Sequence, residues 1–420
     1  MNINLNTFRK IQQKGFFHLL TANLLIQAVA FASQLFVAGI LAPDDVGRIK
    51  IIQTYLSFFS IIAGMGFNTS TLKLCSENRS VKEQSSLFQA ALFFTIISTV
   101  SIYVIILILN FLKIFSPDRL VQYMLPLGLF PVVSNSLFMV FISYFQAKKK
   151  IKLLSSLTIS NKIISIIGIV ILSYFMGIKG YYLAYNLSFL LMLIVCFRIY
   201  RSAFLGKLFS IKHVSHFHTH WHYAQSSMVA NLLSEMSAFI DILLINMLIN
   251  DMHQIGYYSF ALTITVILRL FPSTVQQITI PYFSALAHQK SEFTVVFKRY
   301  NKILHRVVGL TLVTALLIIP IAINFIFRGK YDESLKYFPF LAIGWSLRQL
   351  TQLQSAAIFG LGKIQYIAYT GLITLLFSSI TVCILIYFFG LIGAAYASIL
   401  GGLIYMLSSR CFYKIAQSKM

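Results

Sequence analysis

The chain has 420 residues, of which 58% are hydrophobic and 11% charged, with a formal net charge of +23. A soluble domain carries about a quarter charged residues, so a water-soluble globule is excluded. Continuous apolar runs, without the period-two alternation of barrel strands, exclude a membrane β-barrel as well.

In chain order, about twelve apolar runs are each long enough to span a hydrocarbon core of roughly 30 Å: 17–41, 48–68, 88–112, 120–145, 153–176, 180–200, 223–249, 257–285, 303–327, 334–359, 364–389 and 391–412. The first follows Arg9, Lys10 and Lys14 and continues to Leu41, too long for a cleavable signal segment. It carries Asn23, Gln27 and Gln34 along one helical face. With an interior N-terminus, the alternating links on one side hold 22 of the 34 Lys and Arg. The other side holds 8, with Arg48 and Lys50 counted there. This bias sets both termini in the cytoplasm; the basicity reports topology rather than nucleic-acid binding. Cys75, Cys196, Cys383 and Cys411 have no paired or metal-ligand spacing.

The fold class expected is an all-α polytopic membrane protein with two six-helix lobes in parallel orientation around a central cavity. An internal repeat carries that expectation. "FQAKKKIKLL" and "FMGIKGYYLAY" recur downstream as "FGLGKIQYIA" and "FFGLIGAAYAS", with Lys150 to Gly177 and Lys363 to Gly390 both 27 residues. A polar turn closes at Gly47 in "LAPDDVGRIKI" and at Gly256 in "INDMHQIGYYS". Six spans restore the starting orientation, so the lobes share an axis along the membrane normal with the substrate between them. The division is residues 1–205 for the first lobe, 206–222 for a cytoplasmic linker and 223–420 for the second lobe. The linker carries His213, His216, His218, His220 and His222. It has no Cys, Asp or Glu to complete a metal site and reads as a segment skirting lipid headgroups.

The second lobe opens with "NLLSEMSAFIDILLINMLIN", which sets Glu235 and Asp241 deep in a span. A carboxylate there costs roughly 2.5–3.5 kcal/mol on insertion scales, and such groups face a wet cavity or pair with a cation. Glu235 and Asp241 are the candidates for ion coupling, by H+ or Na+, or else for silent pairing with an arginine. Arg269 stands three residues before Pro272, and Arg348, Gln352 and Ser355 share a face by their spacing. Arg269, Arg348, Gln352, Gln27 and Gln34 are the candidate substrate contacts, since a guanidinium matches two phosphate oxygens. Lys162 and Arg306 are close enough to a boundary to snorkel and take no role.

"LAPDDVG" and "DILLINMLINDMHQIGYYSFA" resemble the first-helix turn and the seventh-to-eighth helix passage of Wzx-type flippases for lipid-linked O-antigen units. The matching positions in the second stretch are Asp241, Gly256, Tyr257 and Ala261. These flippases belong to the multidrug/oligosaccharidyl-lipid/polysaccharide exporter superfamily, which often carries an Arg shortly before the turn where this chain has Gly39. The resemblance implies transfer of undecaprenyl-diphosphate-linked oligosaccharide across the bacterial inner membrane by alternating access. It also implies a monomer that works beside a polysaccharide polymerase and chain-length machinery in lipopolysaccharide assembly. No "GxxxxGK[ST]" loop for ATP occurs, and no cofactor is expected beyond a coupling ion. The alternatives are a multidrug or peptidoglycan-precursor exporter of the same superfamily, or an enzyme such as a membrane polysaccharide polymerase. An enzyme calls for a sizeable outside loop or an acidic metal-binding motif, so a transporter and not an enzyme is expected.

Overall fold

The structure is a computed structural model that describes residues 17–77, 79–200, 216–286 and 289–418. Within them the chain is helical almost throughout. The first half holds α1 (Phe17–Ile40), α2 (Pro43–Gly64), α3 (Phe67–Ser76), α4 (Val81–Phe111), α5 (Arg119–Leu129), α6 (Pro131–Ala147) and α7 (Ile151–Ile199). The second holds α8 (Phe217–Leu248), α9 (Met252–Ile264), α10 (Ile267–Ala285), α11 (Lys290–Phe327), α12 (Phe338–Gln349), α13 (Gln352–Gly360), α14 (Gln365–Phe389) and α15 (Leu391–Ser418). Nine stretches among the described residues are long and apolar enough to cross a membrane. Three passages come from elsewhere: the second arm of α7, the α1 helix and the broken pair α12–α13. The twelve passages coincide with the twelve apolar runs.

Two hairpins show how the halves repeat. At Gly177 the backbone turns to φ 59°, ψ −139°, and at Gly390 to φ 63°, ψ −150°. L side chains avoid this region, so glycine sets both corners. Behind the first corner the α7 arms run back on each other, and a Cβ on Gly168 would lie 3.2 Å from the Ala184 methyl. The second and fourth passages of each half are broken. Met65 and Gly66, both left-handed, separate α2 from α3, and Pro131 starts α6 directly after Phe130. In the second half hydroxyls interrupt the ladder: Thr265 Oγ1 donates to the Leu262 carbonyl and Thr351 Oγ1 to that of Arg348. The first of these breaks falls at Thr265–Val266, ahead of Pro272. Irregular backbone at membrane depth is tolerated where protein or a wet cavity surrounds it.

The α2 helix begins earlier than hydropathy suggests. Pro43 occupies its first turn with Asp44 and Asp45, a favourable start because proline needs no donor and acids suit the positive helix end. Arg48 binds Asp45 at 2.9 Å and Asp118 at 3.1 Å, and Asp118 caps α5 by accepting from the Val121 amide. Arg48 and Lys50 are therefore helical residues, not loop residues as the charge count assumed.

One large apolar core joins both halves at the end of the bundle marked by Pro43. Towards the opposite end, marked by His220, there are two smaller cores: one belongs to the second half, and the other to the first half with Phe217 and Ala224 of α8 packed into it. The joined end is closed by backbone contact, polar locks and stacking. Gly47 meets Gly256 so closely that a Cβ on Gly256 would lie 2.1 Å from the Pro43 carbonyl oxygen. Buried Asn246 donates to the Phe115 carbonyl and accepts from Ser116 Oγ, both at 2.7 Å. Lys330 caps α1 from the other half, donating to the carbonyls of Ala38 (3.0 Å), Gly39 (2.8 Å) and Leu41 (2.6 Å). Burial of its ammonium lowers the Lys330 pKa from the ordinary lysine value. Tyr331 donates to the same Ala38 carbonyl and stacks on Phe260 at 3.9 Å. At the other end, His220 is fully buried and reaches Ser70 Oγ at 2.8 Å and the Leu87 carbonyl at 3.0 Å.

The histidine stretch accordingly enters α8 at Phe217, inside the segment read as linker, while His213 lies outside the described residues. Among the described residues no three His, Cys, Asp or Glu groups are placed to hold a metal ion.

Gly256→Val inserts a side chain where backbone meets backbone. It should cost about 1–3 kcal/mol of stability by overpacking and speed maleimide labelling of a cysteine placed at Val46 in detergent. A labelling rate equal to that of the Gly256 protein would show that the contact does not close this end.

Candidate functional site

On the side of the joined core away from Pro43 lie two neighbouring compartments of about 290 and 420 Å³, the first walled mainly by the first half with Phe260 and Thr263 of α9, the second by the first half and α8. They share Gln53 and Tyr185. Their sizes fall within the roughly 300–1,000 Å³ of small-molecule sites. The first is lined by Lys50 and Gln53 of α2, Gln34 of α1, Asn161 and Lys162 of α7, and Thr263 of α9. The second continues along α2 past Gln53 to Ser57 and Ser60 and is faced by Asn68, Asn135, Asn231 and Glu235. At 1.5 Å per residue, Ser60 lies about 15 Å further along α2 than Lys50.

Lys50 is the central cation. Its ammonium sits 5.1 Å from the centre of the Phe239 ring of α8. Lys162 adds a second ammonium from the facing wall. Gln53 donates to the Tyr181 hydroxyl, which fixes one amide of the lining. Polar groups so deep are tolerable because they face a hollow rather than lipid. Chemically the first compartment offers cations and amide donors to an anion. The second offers amides, hydroxyls and one carboxylate.

The structure separates the residues that the sequence grouped. Gln34 lines the first compartment and Glu235 the second. Gln27 is half-buried and contributes to neither, and the side chain of Asn23 lies outside the described set. Arg269 is exposed and lines neither compartment. Arg348 sits within the second lobe, stacked between Trp345 (5.9 Å) and Tyr405 (5.6 Å). It shares a hollow of about 20 Å³ with Asp241 and Ser378, the size of one water rather than of a solute. Gly401 leaves room for it, since a Cβ there would lie 3.4 Å from a guanidinium nitrogen. Asp241 itself accepts from the Tyr258 hydroxyl at 2.7 Å and the Ile242 amide at 3.0 Å. Glu235 and Asp241, both on α8, therefore point into different spaces, as their angular separation of about 240° requires. Gln352 lies beyond the α12–α13 break and bonds Gln349 at 3.2 Å, so the continuous face from Arg348 to Ser355 does not form.

Sequence reading missed Lys50, because low hydropathy around Pro43–Arg48 delayed the start of the second span. It passed over Lys162 because a lysine near a boundary usually snorkels. A helical projection of α2 started at Pro43 puts Lys50, Gln53, Ser57 and Ser60 on one strip, and that signal was available.

The family described as "Polysaccharide biosynthesis protein" matches residues 13–287. No curated protein matches the chain significantly. Among solved structures, the lipid II flippase MurJ in an inward closed conformation superposes with a TM-score of 0.75 at 17% identity, covering 93% of this chain and 87% of that one. A transporter of the MOP superfamily from Pyrococcus furiosus, described as having a binding pocket of reverse polarity, gives 0.70 at 13% identity, with 95% and 94% covered. An inward-facing multidrug resistance MATE transporter gives 0.69 at 13%, with 94% and 95% covered. At such identities the likeness establishes the fold, and these neighbours are transporters and flippases rather than enzymes. The chain belongs to the polysaccharide biosynthesis protein family and is a multi-pass membrane protein with the two-lobed fold of the MOP superfamily.

Proposed function

We propose that this protein flips polyprenyl-diphosphate-linked oligosaccharide, an O-antigen or similar surface-polysaccharide unit, across the bacterial inner membrane. The observation that carries the reading is the two-lobed cavity with Lys50 and Lys162 at one end of a lining rich in amides and hydroxyls. A diphosphate suits paired ammonium groups, and a glycan suits side chains that both donate and accept. The polyprenyl tail stays in lipid while the polar part crosses through the hollow, so charge never meets hydrocarbon. The positive-inside bias assigns the His220 end and both termini to the cytoplasm. On that assignment the joined Pro43 end faces outward and the state is closed to the outside. Export requires the locks at Asn246 and Lys330 to break as the lobes rock.

Coupling by H+ or Na+ falls to Asp241. Its carboxylate lies beside Arg348 without a direct ion pair, so a proton or an ion competes with the guanidinium for it. The likeness to a lipid II flippase favours a second reading, a peptidoglycan precursor as cargo, which shares the diphosphate and differs in the sugar.

Deletion of the gene should strand lipid-linked oligosaccharide on the cytoplasmic leaflet and remove the long surface polysaccharide. Normal surface polymer in a strain with no second flippase would end this reading. Lys50→Gln removes a charged contact worth roughly 1.5–3 kcal/mol and should lower export at least tenfold at unchanged membrane abundance. Arg269→Gln, away from the cavity, should stay within about twofold. Equal losses in the two variants would return Arg269 to the substrate path. Arg348→Leu should cost roughly 3–5 kcal/mol by stranding Asp241, and adding Asp241→Leu should recover thermal stability. If Asp241→Asn leaves the dependence of transport on external pH and sodium unaltered, Asp241 is scaffold.

A further inference from the structure

The second compartment has a composition of its own. Its polar side chains are amides and hydroxyls, contributed by α2, α3, α6 and α8, so both lobes build it. Glu235 is its one charged lining residue among the described residues. Ser60 Oγ is buried without a hydrogen-bond partner among the described residues. Neither Asn135 nor Glu235 makes a hydrogen bond or ion pair to another described residue. Asn135 and Glu235 are half-buried at the wall of this hollow, so their free donors and acceptors are open to a ligand with hydroxyls or amides. Tyr185, at the junction with the cationic compartment, offers an aromatic face there.

We infer that this compartment holds the sugar adjoining the diphosphate, and that the Glu235 carboxylate makes it selective for neutral or amino sugars over uronic acids and other anionic sugars. The inference rests on the flippase reading and narrows its cargo. With the diphosphate on Lys50 and Lys162, no cation of this lining remains to offset an acidic sugar. A second carboxylate near Glu235 meets like charge in a space partly shut off from water, where repulsion is poorly screened. A hydroxyl, an N-acetyl group or an ammonium instead finds acceptors in Glu235, Asn135 and Ser60.

The test uses the purified full-length protein in detergent and measures Kd for three synthetic probes: undecaprenyl diphosphate, its N-acetylglucosamine derivative and its glucuronic acid derivative. The N-acetylglucosamine probe should bind at least tenfold more tightly than the glucuronic acid probe. Glu235→Gln should narrow that ratio to within about threefold, and Glu235→Asp should keep it above about fivefold. A ratio is read on one preparation, so partial misfolding of a variant does not create or erase it. If the sugar-free diphosphate binds but the two sugars bind equally, or if Glu235→Gln keeps the full ratio, the selectivity is overturned and the flippase reading stands. If no probe binds, including the sugar-free diphosphate, the flippase reading fails and this inference fails with it.

Discussion

The crossing of α2 over α9, with Gly47 against Gly256, is the constraint on which the rest of the architecture depends. Two helix backbones touch there without intervening side chains, and that closeness lets one apolar core run through both lobes. At the other end the lobes meet only where the start of α8 packs on the first lobe through Phe217, His220 and Ala224, and space is left between these two contacts. The polar lining occupies that space. Were the lobes joined along their whole length, Lys50, Lys162 and the asparagines of the second compartment would be buried without partners, at a cost that helix packing could not offset.

Charge inside this bundle serves two different ends. Arg348 and Asp241 are neighbours within one lobe, wrapped by Trp345, Tyr405 and Tyr258. The hollow of about 20 Å³ beside them admits a water or an ion but leaves no room for a substrate. Lys50 and Lys162 look across open space from different helices. The distinction matters because a buried ionisable residue contacts substrate only where the substrate can reach it. Hydrophobic cost alone singled out the arginines, whereas access singles out the lysines.

The closure at the Pro43 end is polar as well as apolar. Asn246 satisfies both its amide groups on Ser116 and Phe115, and Lys330 gathers three carbonyls at the end of α1, sharing that of Ala38 with Tyr331. These bonds exchange readily for water, unlike packed side chains, so a joint made from them can open without leaving buried groups stranded. A cation also arrives where the sequence resemblance looked for an arginine before the first turn, but it comes from the opposite lobe.

The amino-acid sequence by itself determined the passages, their number and their pairing into repeats. Apolar length fixes each passage, and Gly177 and Gly390 mark equivalent corners because only glycine adopts that backbone freely. The turns at Gly47 and Gly256 were equally legible as repeat anchors, though not as each other's contact. Tertiary structure alone decided which polar residues share a space. Periodicity assigns a face to each side chain but not the neighbour that face meets: the spacing alone set Glu235 and Asp241 on different faces, but only packing turned Arg348 inward and joined Lys50 to Lys162. The α12–α13 break was hidden for a related reason: a threonine hydroxyl takes a carbonyl from the helix ladder only where the surrounding packing permits it.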